Sequence, residues 1–255
     1  MSSIPHEAKV VIIGGGIAGC STAYHLARSG WNTVLIERDV LTSGTTWHAA
    51  GMVTQLGPTP QITKIRKNSV KFYEDLKDIT GQDTSFRHTG TINIATSKSR
   101  YQEYLRQLTT SKLFDLEIEL INKKRFKDLY PIAKNKDVLG GLYIPRDGQA
   151  DPEILTKVIA AAAKKEGAKI FEKCKLQKIL KRDNQIRGVK TNLGTINCEY
   201  IVLCAGMWSR QIGEAAGVSI PLYPNEHFYM ITENYKNLPK FLPTFRDPDT
   251  YLYIR

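Results

Sequence analysis

The sequence predicts an α/β fold built around a parallel sheet, and three observations predict it. A short β-branched run, VVII at 10–13, passes through a glycine-rich turn into residues 17–28, which carry small or apolar side chains at helical spacing. Ser29-Gly30 stops that helix and TVLI at 33–36 resumes the sheet, completing a βαβ opening. Further along, YIVLCAGMWS at 200–209 again reads as a buried strand running into a glycine turn and then a helix.

Composition bounds the rest. At 255 residues, 42% hydrophobic and 24% charged, the chain is long enough for one large domain or two interleaved ones. No apolar run approaches the roughly 20 residues of a membrane span. The formal charge of +11 comes from scattered basic residues. Its densest clusters, at 64–71 and 123–127, are interleaved with apolar residues and read as solvated helix faces, so no nucleic-acid partner is expected. The first strand begins near Lys9, which leaves no room for the apolar core of a signal peptide and points to a cytoplasmic protein. Cys20, Cys174, Cys198 and Cys204 show no C-x-x-C spacing, so buried reduced thiols are expected rather than disulfides or a metal site.

Between the two nucleotide-fold passages, Ile62, Ile65, Val70, Tyr73 and Leu76 mark a helix that ends near Gly81. TGTINIAT at 89–96 reads as a strand, 100–113 as a helix, 123–129 as a short helix closed by Pro131, and GGLYIP at 140–145 as another strand. Asp147-Gly148 makes a turn; Asp151 is a candidate N-cap, with Pro152 at the first helical position and Glu153 complementing the helix dipole. Gly167 ends that helix and a strand follows at 169–171. Runs at 176–181 and 186–191 flank a hairpin turn, and EHFYMIT at 226–232 and YLYI at 251–254 read as strands.

The turn after the first strand is Gly14-x-Gly16-x-x-Gly19. Gly14 permits the tight turn, Gly16 lets backbone approach a pyrophosphate, and Gly19 lets the helix pack on the sheet with its N-terminus facing the phosphates. Glu37 ends the second strand, 18 residues after Gly19, where a carboxylate can accept hydrogen bonds from ribose hydroxyls. A 2′-phosphate would be repelled there, which disfavours NADP. The neighbouring Arg38 could face solvent or the adenosine end, and the glycines alone do not separate FAD from NAD.

The texts VVIIGGGIAGCSTAYHLARSGWNTVLIER, SGTTWHAAGMV, TGTINIAT, GGLYIPRDGQADP, IVLCAGMWS and PNEHFYMITE together resemble the FAD-dependent amine oxidoreductases related to D-amino-acid oxidase, in particular the dimethylglycine and sarcosine dehydrogenase group. The resemblance implies a Rossmann-like FAD-binding domain of the glutathione-reductase type at 1–82 and 147–217. Interleaved with it would be an α+β substrate domain at 83–146 and 218–255, in a chain that looks C-terminally truncated. It implies that Gly16 and Ile17 meet the pyrophosphate and that Glu37 and Arg38 meet the adenosine end. The stretch Gly44, Thr45, Thr46, Trp47, His48, Ala49, Ala50, Gly51 and Met52 would meet the flavin, with Leu176 at the adenine and Gly206 and Trp208 beside the cofactor. His48 matches the histidine that this group bonds covalently to the flavin. His227 and Tyr253, or Tyr251 in its place, match substrate-pocket positions. The implied activity is oxidative N-demethylation of dimethylglycine or sarcosine by hydride transfer to flavin. Electrons would pass to an electron-transfer flavoprotein or to oxygen, and tetrahydrofolate would act in a C-terminal module outside this sequence. Another amino-acid oxidase, or a regulatory flavoprotein without catalysis, is the alternative.

Overall fold

The structure, a computed structural model, describes residues 3–239 and 241–255. The chain divides into two compact units: 1–49, 78–82 and 152–229 in the first, and 50–77, 83–151 and 230–255 in the second. These units differ from the expected domain boundaries, because 50–77 and 147–151 group with the second unit and 218–229 with the first. The reason is local pairing. Met52–Val53 forms a two-stranded ladder with Gly148–Gln149, and the carboxyl of Asp147 accepts the Gln55 N–H at 2.8 Å.

In the first unit a parallel sheet runs in the order Tyr200–Leu203, Val10–Ile13, Thr33–Ile36, Lys169–Phe171. Val10–Ile13 and Thr33–Ile36 are buried on both faces, which explains their unbroken apolar text. On one face Val11, Ile13, Val34 and Ile36 meet Val189 and Ile196 of a three-stranded antiparallel sheet formed by Leu176–Arg182, Gln185–Thr191 and Gly194–Asn197. Asp183 and Asn184, with φ of 52° and 58°, turn the hairpin between its first two strands, the left-handed pair that a two-residue loop requires. Helices Ile17–Arg28 and Pro152–Lys165 pack side by side, burying Ala23, Ala27, Ile159 and Ala162. Small side chains there let the two backbones approach each other and the sheet.

The second unit holds a five-stranded sheet in the order Leu252–Ile254, Thr244–Asp247, Thr91–Ala95, Gly140–Ile144, Glu119–Ile121. Only the Thr244–Asp247 and Thr91–Ala95 pair is parallel. One core joins Ile92, Ile94, Ile121 and Phe245 to Phe126 and Tyr130, while a separate cluster joins Ala95 and Leu142 to Tyr104 of the Lys98–Ser111 helix. That helix starts two residues before the expected position because the Ser97 hydroxyl accepts the Arg100 N–H at 3.2 Å and caps it.

One expected strand is corrected. Residues 226–232 adopt no regular structure and are exposed, with Phe228 87%, Met230 85% and Ile231 84% accessible. Alternating aromatic and β-branched text favours a strand, but a strand forms only when its N–H and C=O groups find a ladder partner, and no described strand pairs with this segment. The 251–254 run does form a strand, at Leu252–Ile254, because Thr244–Asp247 lies beside it. Among the described residues no helix is long and apolar enough to cross a membrane.

Phe126 is fully buried, its ring 5.8 Å from that of Phe245. Phe126→Ala is expected to destabilise the protein by about 3–5 kcal/mol through lost transfer energy and the residual cavity, read as a shift in the urea midpoint at unchanged slope.

Candidate dinucleotide site

The glycine turn builds the site from its backbone. Gly14 has φ of +115°, and a Cβ there would lie 2.4 Å from the Cys204 carbonyl oxygen. A Cβ on Gly19 would stand 1.9 Å from the Gly14 carbonyl oxygen, so only glycine lets the helix sit this close to the strand. Gly16 is the N-cap of that helix and supplies no side-chain cap. The first-turn N–H groups and the positive end of the helix dipole therefore stand open at the turn, apart from the Ile17 N–H, which donates to the Thr46 hydroxyl at 3.2 Å.

Glu37, at the end of the second strand, accepts the Gly15 N–H at 2.6 Å through Oε2 and the Asp39 N–H at 2.9 Å through Oε1. An ionised carboxylate has about four acceptor positions, so two remain for hydroxyl donors. Nothing in the G-x-G-x-x-G spacing marks Gly15, yet a Cβ there would lie 2.7 Å from Leu41 Cδ2 and 2.9 Å from Glu37 Cβ, so the side chains packed over the turn leave no room in its middle.

These groups border one cavity of about 670 Å³ in the first unit. Gly14, Gly16, Ile17, Glu37, Arg38, Gly44, Thr45, Thr46, Leu176, Gly206 and Trp208 all line it. The Arg38 guanidinium lies 4.0 Å over the Trp208 ring, a cation–π pair, and a Cβ on Gly44 would lie 3.4 Å from the edge of that indole. Ser43, Cys174, Gln211 and Leu222 also line the cavity without having been singled out, since nothing in their spacing separates them from loop or core residues. Burial pushes the Cys174 and Cys204 thiols up, so both stay neutral in the wall.

Other expected contact residues lie elsewhere. Gly19 packs the helix and does not line the cavity. Thr46–His48 forms a 3₁₀ turn in which Trp47 and His48 are exposed; Ala49 follows, also exposed, and none of these three lines the cavity. The His48 ring lies tilted against Trp47, with centroids 3.5 Å apart and planes at 33°, and its Nδ1 lies 2.9 Å from the Tyr229 hydroxyl. Ala50, Gly51 and Met52 belong to the second unit, where a Cβ on Gly51 would meet the Ala150 carbonyl oxygen at 2.0 Å. His227 stands in exposed coil of the first unit. Tyr253 lies on the Leu252–Ile254 strand of the second unit, opposite Arg246, and Tyr251 is 92% exposed in the preceding turn.

The βαβ unit, the glycine turn at a helix N-terminus and the carboxylate closing the second strand define a dinucleotide-binding α/β protein. Backbone that tolerates no Cβ, an uncapped helix start and spare carboxylate acceptors fit a pyrophosphate flanked by ribose. Comparison narrows the class: residues 9–255 match the FAD dependent oxidoreductase family model, and the chain belongs to that family. It is 36% identical over 99% of its length to 4-methylaminobutanoate oxidase (formaldehyde-forming) of Paenarthrobacter nicotinovorans, covering 31% of that protein. It is 38% identical over 98% of its length to the mitochondrial dimethylglycine dehydrogenase of Homo sapiens, covering 29% of it. It is also 34% identical over 99% of its length to the mitochondrial pyruvate dehydrogenase phosphatase regulatory subunit of Mus musculus, again covering 29%. Among solved structures, L-proline dehydrogenase from P. horikoshii superposes with a TM-score of 0.80 at 29% identity, over 84% of this chain and 57% of that one. The chain thus spans about 30% of the length of the curated relatives it matches.

The second unit contains a titratable group that sequence reasoning read only as a turn former. Asp147 is fully buried; Oδ1 accepts the Gln55 N–H, Oδ2 has no hydrogen-bond partner among the described residues, and burial pushes its pKa up from 3.8 to about 7. Between those values the folded protein holds a proton that the unfolded chain has released. The contribution of this carboxyl to stability is therefore fully present below 3.8 and lost as pH rises through about 7. Urea midpoints of wild type and Asp147→Asn, compared at about pH 5 and pH 8, are expected to show wild type losing stability relative to the variant at the higher pH.

For the dinucleotide cavity, Glu37→Gln is expected to weaken FAD binding by about ten- to a hundredfold, the equivalent of one charge-assisted hydrogen bond, measured by flavin fluorescence titration of apoprotein carrying His48→Ala in both arms so that binding stays reversible.

Proposed function

We propose that the protein is the flavin-binding part of an enzyme that oxidises an N-methylated amino acid such as dimethylglycine or sarcosine. The observation that carries the reading is the cavity formed by the Gly14–Gly19 turn, Glu37 and the Trp208–Arg38 pair, in a chain belonging to the FAD dependent oxidoreductase family. Its relatives supply the substrate class, a methylamino acid in one and dimethylglycine in another.

In this reading the open N–H groups of the helix start bind the pyrophosphate and Glu37 holds the adenosine ribose. Arg38 and Trp208 border the adenosine end, with Leu176 at the adenine. The flavin supplies acceptance of a hydride from the N-methyl carbon. Water then hydrolyses the resulting iminium to the demethylated amino acid and formaldehyde, or a folate captures the one-carbon unit. His48 is the covalent anchor; Nδ1 is engaged by Tyr229, which leaves Nε2 as the ring nitrogen available to bond carbon. His227 and Tyr253 face the substrate. Electrons leave to an electron-transfer flavoprotein or oxygen. Four free thiols support a reducing compartment, in our reading the cytoplasm.

The likeness to a phosphatase regulatory subunit favours one second reading, a flavoprotein that binds cofactor without oxidising amines. Anaerobic mixing of the full-length holoprotein with dimethylglycine or sarcosine separates the two: bleaching of the flavin band supports the enzyme, and an unchanged spectrum with every N-methyl amino acid supports the regulator. Acid precipitation tests the anchor. The pellet is expected to stay yellow, and His48→Ala to release its flavin into the supernatant; full release from wild type would remove the covalent bond from the reading.

A further inference from the structure

Within the first unit, one side-chain contact reaches the exposed coil at 226–229. The Tyr229 hydroxyl lies 2.9 Å from His48 Nδ1, joining residues 181 apart in sequence. The phenol meets the imidazole edge-on, with centroids 6.0 Å apart and planes at 64°. Trp47 covers one face of the same imidazole. Two contacts therefore orient His48: the indole sets the plane of the ring, and the phenol sets which nitrogen points away. Among the described residues Nε2 has no hydrogen-bond partner.

A neutral imidazole carries one N–H and one lone pair, and only the nitrogen with the lone pair can form a bond to carbon. When Nδ1–H donates to the tyrosine oxygen, the lone pair stands on Nε2. In the opposite arrangement the hydroxyl donates to Nδ1, and Nε2 keeps its hydrogen and cannot attack. A hydroxyl serves both arrangements, because it accepts and donates. It accepts from Nδ1–H before a bond forms at Nε2, and that hydrogen bond strengthens as positive charge develops on the ring. Once the ring proton has left, the hydroxyl turns and donates to the bare Nδ1. Phenylalanine would fill the same space and do neither.

We propose that Tyr229 is the positioning residue for cofactor attachment: its hydroxyl selects the His48 tautomer that presents the Nε2 lone pair and holds Nδ1–H while the bond forms. The inference rests on the anchor role proposed above for His48. Attachment breaks one C–H bond of the flavin 8α-methyl group and forms a C–N bond to Nε2. The methyl proton and the imidazole N–H proton are released, and the electron pair of the broken bond stays on the flavin, leaving it reduced by two electrons. Dioxygen then accepts those two electrons and two protons as hydrogen peroxide, which restores the oxidised, tethered cofactor.

The test follows full-length apoprotein, produced under riboflavin starvation, after mixing with FAD in air. Attachment is read as the flavin fluorescence that stays with the polypeptide in a denaturing gel over time, and the linkage atom by NMR of the isolated flavin peptide. Tyr229→Phe removes only a hydroxyl at an exposed position, so FAD affinity, measured in a His48→Ala background, is expected to match that of Tyr229 protein. The attachment rate of Tyr229→Phe is expected to fall about three- to tenfold, the equivalent of one hydrogen bond, and some of its product to be joined through the freed Nδ1. Either change supports the role. Tyr223→Phe, at another exposed tyrosine of the first unit, should attach at the wild-type rate. A wild-type rate in Tyr229→Phe with Nε2 as its sole linkage atom would overturn the proposal, as would a slowing shared by Tyr223→Phe or explained by lost FAD affinity. In those cases His48 stands as the anchor without Tyr229. Wild type that retains no flavin at all removes the anchor and the positioning role together.

Discussion

The contact between the Gly14 carbonyl oxygen and Gly19 is the constraint on which the first unit depends. With a Cβ excluded at 1.9 Å, the helix can lie against the strand it follows, and its uncapped start is brought to the turn. The same closeness reappears where Gly14 meets the Cys204 carbonyl, which brings the end of the Tyr200–Leu203 strand to the other side of the turn. Glu37 then reaches back to the Gly15 N–H, fixing the carboxylate by the backbone it serves. Affinity for a pyrophosphate in such a site comes from peptide dipoles and from the absence of side chains, not from buried charge.

That origin explains what was legible in the sequence. The βαβ opening, the Pro152–Lys165 helix and the Asp183–Asn184 hairpin rest on signals a few residues long: buried β-branched runs, an N-terminal proline, a left-handed turn pair. Gly14, Gly16 and Glu37 were readable because their spacing is set by one βαβ unit, while Ile17 came only through the family resemblance; all four line the same cavity. The Thr244–Asp247 strand was not, because its pairing with Thr91–Ala95 joins segments about 150 residues apart, and nothing within either segment encodes the other. The 226–232 segment failed in the opposite sense, carrying strand text without a described partner.

Asp147 shows the same divide within a single residue. Its backbone does what its place before a glycine suggests: the N–H donates to the Ile144 carbonyl and the carbonyl accepts from Gly90. Its side chain does something no local rule indicates: burial raises its pKa while a hydrogen bond from Gln55, 92 residues away in sequence, opposes that rise. A turn signal fixes the path of the chain and leaves the chemistry of the side chain to tertiary structure.

The two cavities thus use opposite physical means. The first is lined by backbone N–H groups, thiols kept neutral and one carboxylate already held by two amides; no charge there is buried without a partner among the described residues. The second, which Asp147 lines in the other unit, keeps a carboxyl oxygen without a hydrogen-bond partner at full burial. A buried oxygen of this kind costs on the order of 1–3 kcal/mol, a large part of the 5–15 kcal/mol that stabilises an ordinary domain. A fold that needed only packing would have no use for an ionisable group at position 147. Departures from local consistency of this kind concentrate where proteins act on ligands. In this chain the unsatisfied carboxyl oxygen lies in the second unit, while the first unit departs through its backbone, with β-branched Thr42 in the left-handed region at φ of 75° and strand text at 226–229 that finds no ladder partner among the described residues.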